Sequence, residues 1–224
     1  MIAILDYGMG NLRSVEKALE RVGAPVVRTP DVAVAADADG MILPGVGAFP
    51  KAMNRIRELG LDAFVSERVD AGTPVLGICL GFQLLFSESE ELGGERGFGL
   101  LAGEVTGLDS RGLKVPHIGW EPVRRERESE LFDGIGDGEP FYFVHSFTPR
   151  PADPADVVGT AEHGERFACA VARPPVYGVQ FHPEKSSAAG LRLLANFARI
   201  CASGTSRLNS GGARLRPSDS ASLA

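Results

Sequence analysis

Residues 73–83, TPVLGICLGFQ, set a cysteine between two glycines at the point where an apolar run gives way to helix-forming residues. The run TPVLGIC has the length and apolar content of a strand buried on both faces, and FQLLFSESE, which follows from Phe82, reads as a helix. A strand that turns straight into a helix forces its apex residue into a strained backbone conformation and leaves room only for small neighbours. Gly77 and Gly81 meet that need, with Cys79 at the apex. In an open α/β sheet such a turn lies at the carboxyl ends of the strands, where ligands bind. The start of the helix adds N–H groups and a partial positive charge, which favour a thiolate. Cys79 is therefore the candidate nucleophile. Cys169, inside FACAVA, and Cys201, in the last apolar stretch, lack this setting and read as core.

Working outward, IAILDY (2–7), APVVR (24–28) and GMILPG (40–45) repeat the apolar strand pattern. Between the first two lies NLRSVEKALERVG (11–23), with Leu12, Val15, Leu19 and Val22 on one helical face and Gly23 as its stop. Residues 49–59 and 61–71 supply further helices. Buried strands alternating with amphipathic helices predict an α/β fold, a doubly wound, mostly parallel sheet with helices on both faces. From Gly103 the texture changes to short extended segments, among them GEVTGL, GLKVPHIGWEPV, FYFVHSF, VVGTAE and FACAVARPPVYGVQF. These predict an antiparallel or mixed extension of the sheet. The helix AAGLRLLANFARICA (188–202) closes a single domain, 1–202. Residues 203–224, rich in Ser, Gly and Arg, are expected to form a disordered tail. The charged run RRERESE (124–130) reads as a solvated loop.

Hydrophobic residues at 44% and charged residues at 23% allow a packed core through most of the chain. A net charge of -6 and a pI near 5.3 provide no broad positive field for nucleic acid or anionic lipid. Small molecules or another protein are the expected partners. Three cysteines cannot all pair and none has a zinc-ligand spacing, so a reducing compartment and no metal or cofactor are expected. MIAILDYGMGN lacks the basic start of a signal peptide, and no apolar stretch reaches the roughly 20 residues needed to span a bilayer. The expected location is the cytoplasm.

A cysteine nucleophile needs a base, and the base an orienting group. Among four histidines, His182 ends the strand-like VYGVQF and precedes Pro183 and Glu184. Residues two apart in an extended chain face the same side, so Glu184 can hold the His182 imidazole and stabilise its charged form. His145, ending FYFVH, is the competing base, without a carboxylate two residues on. Oxyanion donors are expected from the Leu80 N–H and from LPGVGAF (43–49), whose Gly45 and Gly47 let backbone approach a ligand. LPGVGAF lacks the Lys-Ser or Lys-Thr of a phosphate loop, and GMGNLR (8–13) has Arg13 where a dinucleotide fingerprint wants glycine.

PGVGAF, GICLGFQ and HPEKS, in that order, resemble the class I (triad) glutamine amidotransferases, whose fold is flavodoxin-like. DYGMGNLRSV, PHIGW, YFVHSF and QFHPEKSS are similar to one branch of that class, the glutaminase subunits of imidazole glycerol phosphate synthase in histidine biosynthesis. The resemblance runs from residue 1 to about 201. It implies that Cys79 attacks the glutamine side-chain amide, that His182 moves protons, and that Glu184 orients His182. It implies oxyanion donors at Leu80 and in the 45–47 loop, at Val46 and beside Gly47. Gln83, Ser146 and Phe147 would hold substrate, and Asn11, Trp120 and Lys185 would lie near the partner. That partner is a separate (β/α)8-barrel synthase subunit, forming a heterodimer that receives the ammonia and makes imidazole glycerol phosphate and aminoimidazole carboxamide ribotide. Two positions depart from the pattern: Glu121 stands where asparagine is usual, and Phe147 where tyrosine is usual. The other readings are a glutaminase serving anthranilate, carbamoyl phosphate or pyridoxal phosphate synthesis, and a regulatory subunit without activity. The intact Cys79, His182 and Glu184 weigh against the last.

Overall fold

The computed structural model describes residues 1–211. Its strands are β1 (Ile2–Leu5), β2 (Val26–Thr29), β3 (Gly40–Gly45), β4 (Val75–Cys79), β5 (Phe86–Ser89), β6 (Glu95–Arg96), β7 (Leu101–Gly107), β8 (His117–Pro122), β9 (Arg124–Arg125), β10 (Pro140–His145), β11 (Phe147–Pro151), β12 (Val157–His163), β13 (Glu165–Arg173) and β14 (Val176–Val179). Its helices are α1 (Leu12–Arg21), α2 (Val32–Ala35), α3 (Phe49–Glu58), α4 (Leu61–Asp70), α5 (Leu80–Leu84) and α6 (Ser187–Gly211).

An eight-stranded sheet in the order β2-β1-β3-β4-β14-β13-β12-β9 forms the frame. Its first five strands run parallel, and β13, β12 and β9 extend it antiparallel. Alternation along β1 divides the core. Ile2 and Ile4 pack into one apolar cluster with Leu12, Val15 and Leu19 of α1 and Leu193, Leu194 and Phe197 of α6. Ala3 and Leu5 pack into the other with Phe49, Met53 and Ile56 of α3 and Leu61 and Val65 of α4. Both faces are thus covered, and a strand read as continuously apolar is what such a sheet requires. Gly23 ends α1 with φ +78°, a conformation L side chains rarely adopt.

Some readings change. The helix expected over FQLLFSESE is confined to Leu80–Leu84, and Phe86–Ser89 forms a strand instead. Leu84, Leu85 and Phe86 are all fully buried, so the segment has no polar face for a longer surface helix and pairs with β7. FYFVHSF is not one strand. It breaks at Ser146, sending β10 into a two-stranded ladder with β8 and β11 into a four-stranded sheet with β7, β5 and β6. Of the charged run at 124–130, Arg124–Arg125 forms the outermost strand of the main sheet, where charge discourages pairing with another chain. Glu126 there binds Arg166 and Thr160. The last helix continues to Gly211, past the boundary expected at 202, and residues 212–224 of the expected tail lie outside the described residues. Among the described residues no helix is long and apolar enough to cross a membrane.

Candidate active site

Cys79 is the last residue of β4 and has φ +55° and ψ -112°, the strained apex expected of the turn. The reason for its flanking glycines is visible in the packing. A Cβ on Gly81 would lie 1.7 Å from the Leu43 carbonyl oxygen, and one on Gly77 would lie 2.6–2.7 Å from the backbone of Gly81 and Phe82. The turn can therefore close onto β3 and onto α5 only without side chains at these positions. Gly45 is equally constrained, since its Cβ would meet the Tyr7 hydroxyl at 2.2 Å. Tyr7 is buried and donates to Pro44 O at 2.5 Å, which anchors the loop carrying Val46 and Gly47. Burial pushes the Tyr7 phenol far above its ordinary range, so it stays a neutral donor.

Register then delivers the histidine. Val179 of β14 lies opposite Ile78 of β4, so the chain running on from β14 passes beside Cys79. Gln180 Nε2 donates to the Cys79 sulfur at 3.8 Å, and Val144 O lies 3.7 Å from that sulfur. Two residues on, His182 lines the same cavity as Cys79, and the two side chains are coupled electrostatically. His182 Nδ1 is 2.9 Å from Glu184 Oε1. The His182 and Glu184 side chains are 4% and 2% exposed. Burial alone would push this imidazole down, but the interactions with Cys79 and Glu184 outweigh it and hold its pKa up at about 9. A short turn, Pro183–Lys185, fixes the geometry. Ser186 Oγ donates to His182 O and accepts from Tyr142 N, and a Cβ on Gly190 would lie 1.9 Å from Pro183 O, so α6 presses directly against the turn.

His145 stands apart from this arrangement. It is buried, with Nδ1 2.9 Å from Phe147 O and Nε2 3.1 Å from His117 Nδ1. Burial lowers its pKa to about 3, only partly offset by the Phe147 carbonyl. It is a neutral imidazole set in a wall rather than a base aimed at Cys79.

A cavity of about 290 Å³ opens over the sulfur, lined by Val46, Gly47, Leu80, Gln83, Ser146, Phe147 and His182 among others. Every residue expected to act on oxyanion or substrate therefore meets there. Gln83 donates from Nε2 to Phe147 O and Gln180 Oε1, both at 3.0 Å, and so braces that wall. Glu91 also lines the cavity, and its Oε2 accepts from Phe49 N at 2.8 Å. Sequence reasoning missed Glu91, Tyr7, Gln180 and Ser186, whose roles depend on strands and loops distant in the chain. Only Gln180 carried a local hint, lying two residues before His182 and directly after β14.

The residues expected near a partner fall partly together. Trp120 is 48% exposed and packs edge-on against Tyr142 at 5.8 Å, while Lys185 Nζ lies 5.9 Å over the same Tyr142 ring. Ile118, two residues before Trp120 on the outer face of β8, is 55% exposed. Asn11 is exposed at the start of α1, which packs against the Pro183–Lys185 turn.

The family model described as "Glutamine amidotransferase class-I" matches residues 3–201. The chain belongs to the class I glutamine amidotransferases. It is an enzyme of that class, and the relatives narrow the grouping. A protein of Moorella thermoacetica named "Imidazole glycerol phosphate synthase subunit HisH" is 53% identical over 199 residues, covering 89% of this chain and 94% of its own. A protein of the same name from Aquifex aeolicus is 49% identical over 197 residues, covering 88% and 95%. A solved structure titled "Crystal structure of glutamine amidotransferase" superposes with a TM-score of 0.72 at 22% identity, covering 90% of this chain and 98% of its own. At that identity the likeness is one of fold.

Proposed function

We propose that this chain is the glutaminase subunit of imidazole glycerol phosphate synthase, with Cys79 as nucleophile, His182 as proton carrier and Glu184 as its orienting group. The observation that carries the mechanism is the His182 imidazole held by Glu184 and facing the same cavity as Cys79, at the carboxyl end of the parallel strands. The relatives' shared name carries the assignment to this synthase.

With its pKa near 9 the imidazole is charged at neutral pH and stands ready as the acid beside the Cys79 nucleophile. The sulfur attacks the side-chain carbonyl carbon of glutamine, and the electron pair moves to oxygen. The N–H of Leu80 and a peptide N–H of the Val46–Gly47 loop receive that charge. His182 gives its proton to the amide nitrogen, the carbon–nitrogen bond breaks and ammonia leaves a thioester on Cys79. Water then attacks the thioester, His182 takes a proton from it, and glutamate departs as the thiolate is restored. Gln83, Ser146 and Phe147 shape the substrate side, and the Glu91 carboxylate suits the glutamine α-ammonium group.

Ammonia released into water at neutral pH is mostly protonated and loses its nucleophilicity, so it must pass directly to a second catalytic subunit. We assign that (β/α)8-barrel partner to the face bearing Trp120, Ile118 and Lys185, where large apolar side chains stand exposed beside a cation. Asn11 borders it. The catalytic domain is assigned to 1–202, which the family match over 3–201 supports. The buried thiols of Cys79, Cys169 and Cys201 fit a reducing compartment, the cytoplasm.

Cys79→Ser tests the reading in the complex with the synthase subunit. Glutamine-dependent synthesis is expected to fall by at least about a thousandfold while ammonia-dependent synthesis continues. Loss of both activities would make the cysteine structural.

A further inference from the structure

Away from Cys79, a second group of titratable side chains gathers at the inner face of β8. His117 and Glu121 point there together, two pleats apart, while Ile118 and Trp120 point outward. His163 arrives at the end of β12, and its ring stacks on His117 with centroids 4.1 Å apart. One nitrogen, one nitrogen and one carboxylate oxygen from these three residues all lie within 4.8 Å of one another.

The hydrogen bonds determine which atoms are available. Phe147 O is an acceptor, so His145 donates to it from Nδ1 and presents a lone pair at Nε2. His117 must then donate from Nδ1 to His145, which leaves a lone pair on His117 Nε2. That atom is buried and has no hydrogen-bond partner among the described residues, and Glu121 Oε1 at 3.7 Å is too distant to supply one. Lys114 O likewise takes the His163 Nε2 proton at 3.0 Å, so His163 carries its lone pair on Nδ1. A buried polar atom left unpaired is costly, and native structures rarely tolerate one without a use.

We propose that His117 Nε2, His163 Nδ1 and a Glu121 carboxylate oxygen form a binding site for a divalent transition-metal ion of the Zn²⁺ type. Two neutral imidazoles and a carboxylate are a donor set suited to such ions. Each imidazole already donates its other N–H, His117 to His145 and His163 to a backbone carbonyl, the outer contacts that orient metal-binding histidines. Glu121 and His163 also line a cavity of about 600 Å³ with Thr160, Glu162 and Arg166, which provides an access route and room for a fourth, exchangeable ligand. The stacked His163 ring must tilt to bring Nδ1 onto the ion, and its place at the β12–β13 turn, partly exposed, allows this. Glu121 is the position where the resemblance expects asparagine, so this chain carries an anionic ligand its relatives' pattern would not supply. The inference is independent of the glutaminase mechanism.

The test uses the full chain in a Cys79→Ser background, so that the active-site thiolate does not compete. After chelator treatment the chain is dialysed to equilibrium against Zn²⁺, and separately titrated with Co²⁺. One equivalent per chain, a Zn²⁺-dependent rise in melting temperature, and Co²⁺ bands of nitrogen–oxygen ligation without thiolate charge transfer are expected. Glu121→Asn and His163→Asn alter partly exposed side chains, and each is expected to weaken Zn²⁺ binding by at least about tenfold. The double variant should lose both the stoichiometric ion and the melting shift. Substoichiometric Zn²⁺ in the starting chain, thiolate bands with Co²⁺, or an undiminished equivalent in the double variant would each overturn the site.

Discussion

Two buried imidazole sites lie on either side of the β10 strand end, and they are tuned in opposite senses. At the first, His182 has the Cys79 sulfur and the Glu184 carboxylate as neighbours, and these overcome burial to keep it protonated at neutral pH. At the second, His117 and His145 lie among other imidazoles and a carbonyl, and burial lowers them to about 4 and 3. The residue type and the depth of burial are similar. The neighbour decides: an anionic acceptor makes an acid that can protonate a leaving amine, whereas a second imidazole makes a neutral chain whose last lone pair is free.

The contrast breaks most readily at the two candidate bases. His182→Asn is expected to reduce glutamine-dependent turnover by about a thousandfold or more, and His145→Asn by about tenfold through disturbance of the cavity wall alone. Steady-state kinetics of the complex compare them. Equal losses would mean that the two histidines act as one unit.

Glu184→Gln sharpens the same comparison. Turnover should fall by about a hundredfold or more, because the orienting acceptor has become neutral. The pH profile carries the sign. An imidazole raised above its ordinary value is protonated below its folded pKa and loses that proton above it, so activity of the native enzyme should decline as pH rises through about 9. Without the carboxylate this alkaline limb should move to lower pH. An unmoved limb would remove Glu184 from the pair.

The smallest effect concerns the opposite face of β8. Trp120→Ala should weaken binding of the synthase subunit by about 2 kcal/mol, roughly thirtyfold, in a titration calorimeter. Its effect on folding should stay within about 0.5 kcal/mol, since nearly half of the side chain is exposed. A large loss of stability with unchanged affinity would return Trp120 to the core.

Much of the main sheet was legible because both its faces are covered. The strands IAILDY, GMILPG and TPVLGIC are apolar throughout, and NLRSVEKALERVG has an unambiguous helical stripe, so pattern and environment agree. FQLLFSESE misled because its buried leucines and phenylalanine fit either period, and pairing with β7 settled the choice. The residues proposed as nucleophile and base stood out for a local reason: each sits at or just past a strand end beside its own punctuation, Gly77 and Gly81 for Cys79, Pro183 and Glu184 for His182. The supporting residues had no such punctuation. Tyr7 behind the 45–47 loop, Gln180 beside the sulfur and Ser186 beneath the histidine work through contacts across the chain.

By itself, then, the order of residues determined which side chains could react and the type of sheet that would carry them, because periodicity and glycine placement are local consequences of backbone sterics. Only the tertiary structure decided which imidazole would be charged and which would keep a bare nitrogen. That outcome depends on strand register, which aligns Val179 with Ile78 and His145 with His117, and on the burial that follows when those strands pack. Proton affinity is a property of an atom's surroundings, and here the surroundings come from segments far apart along the chain.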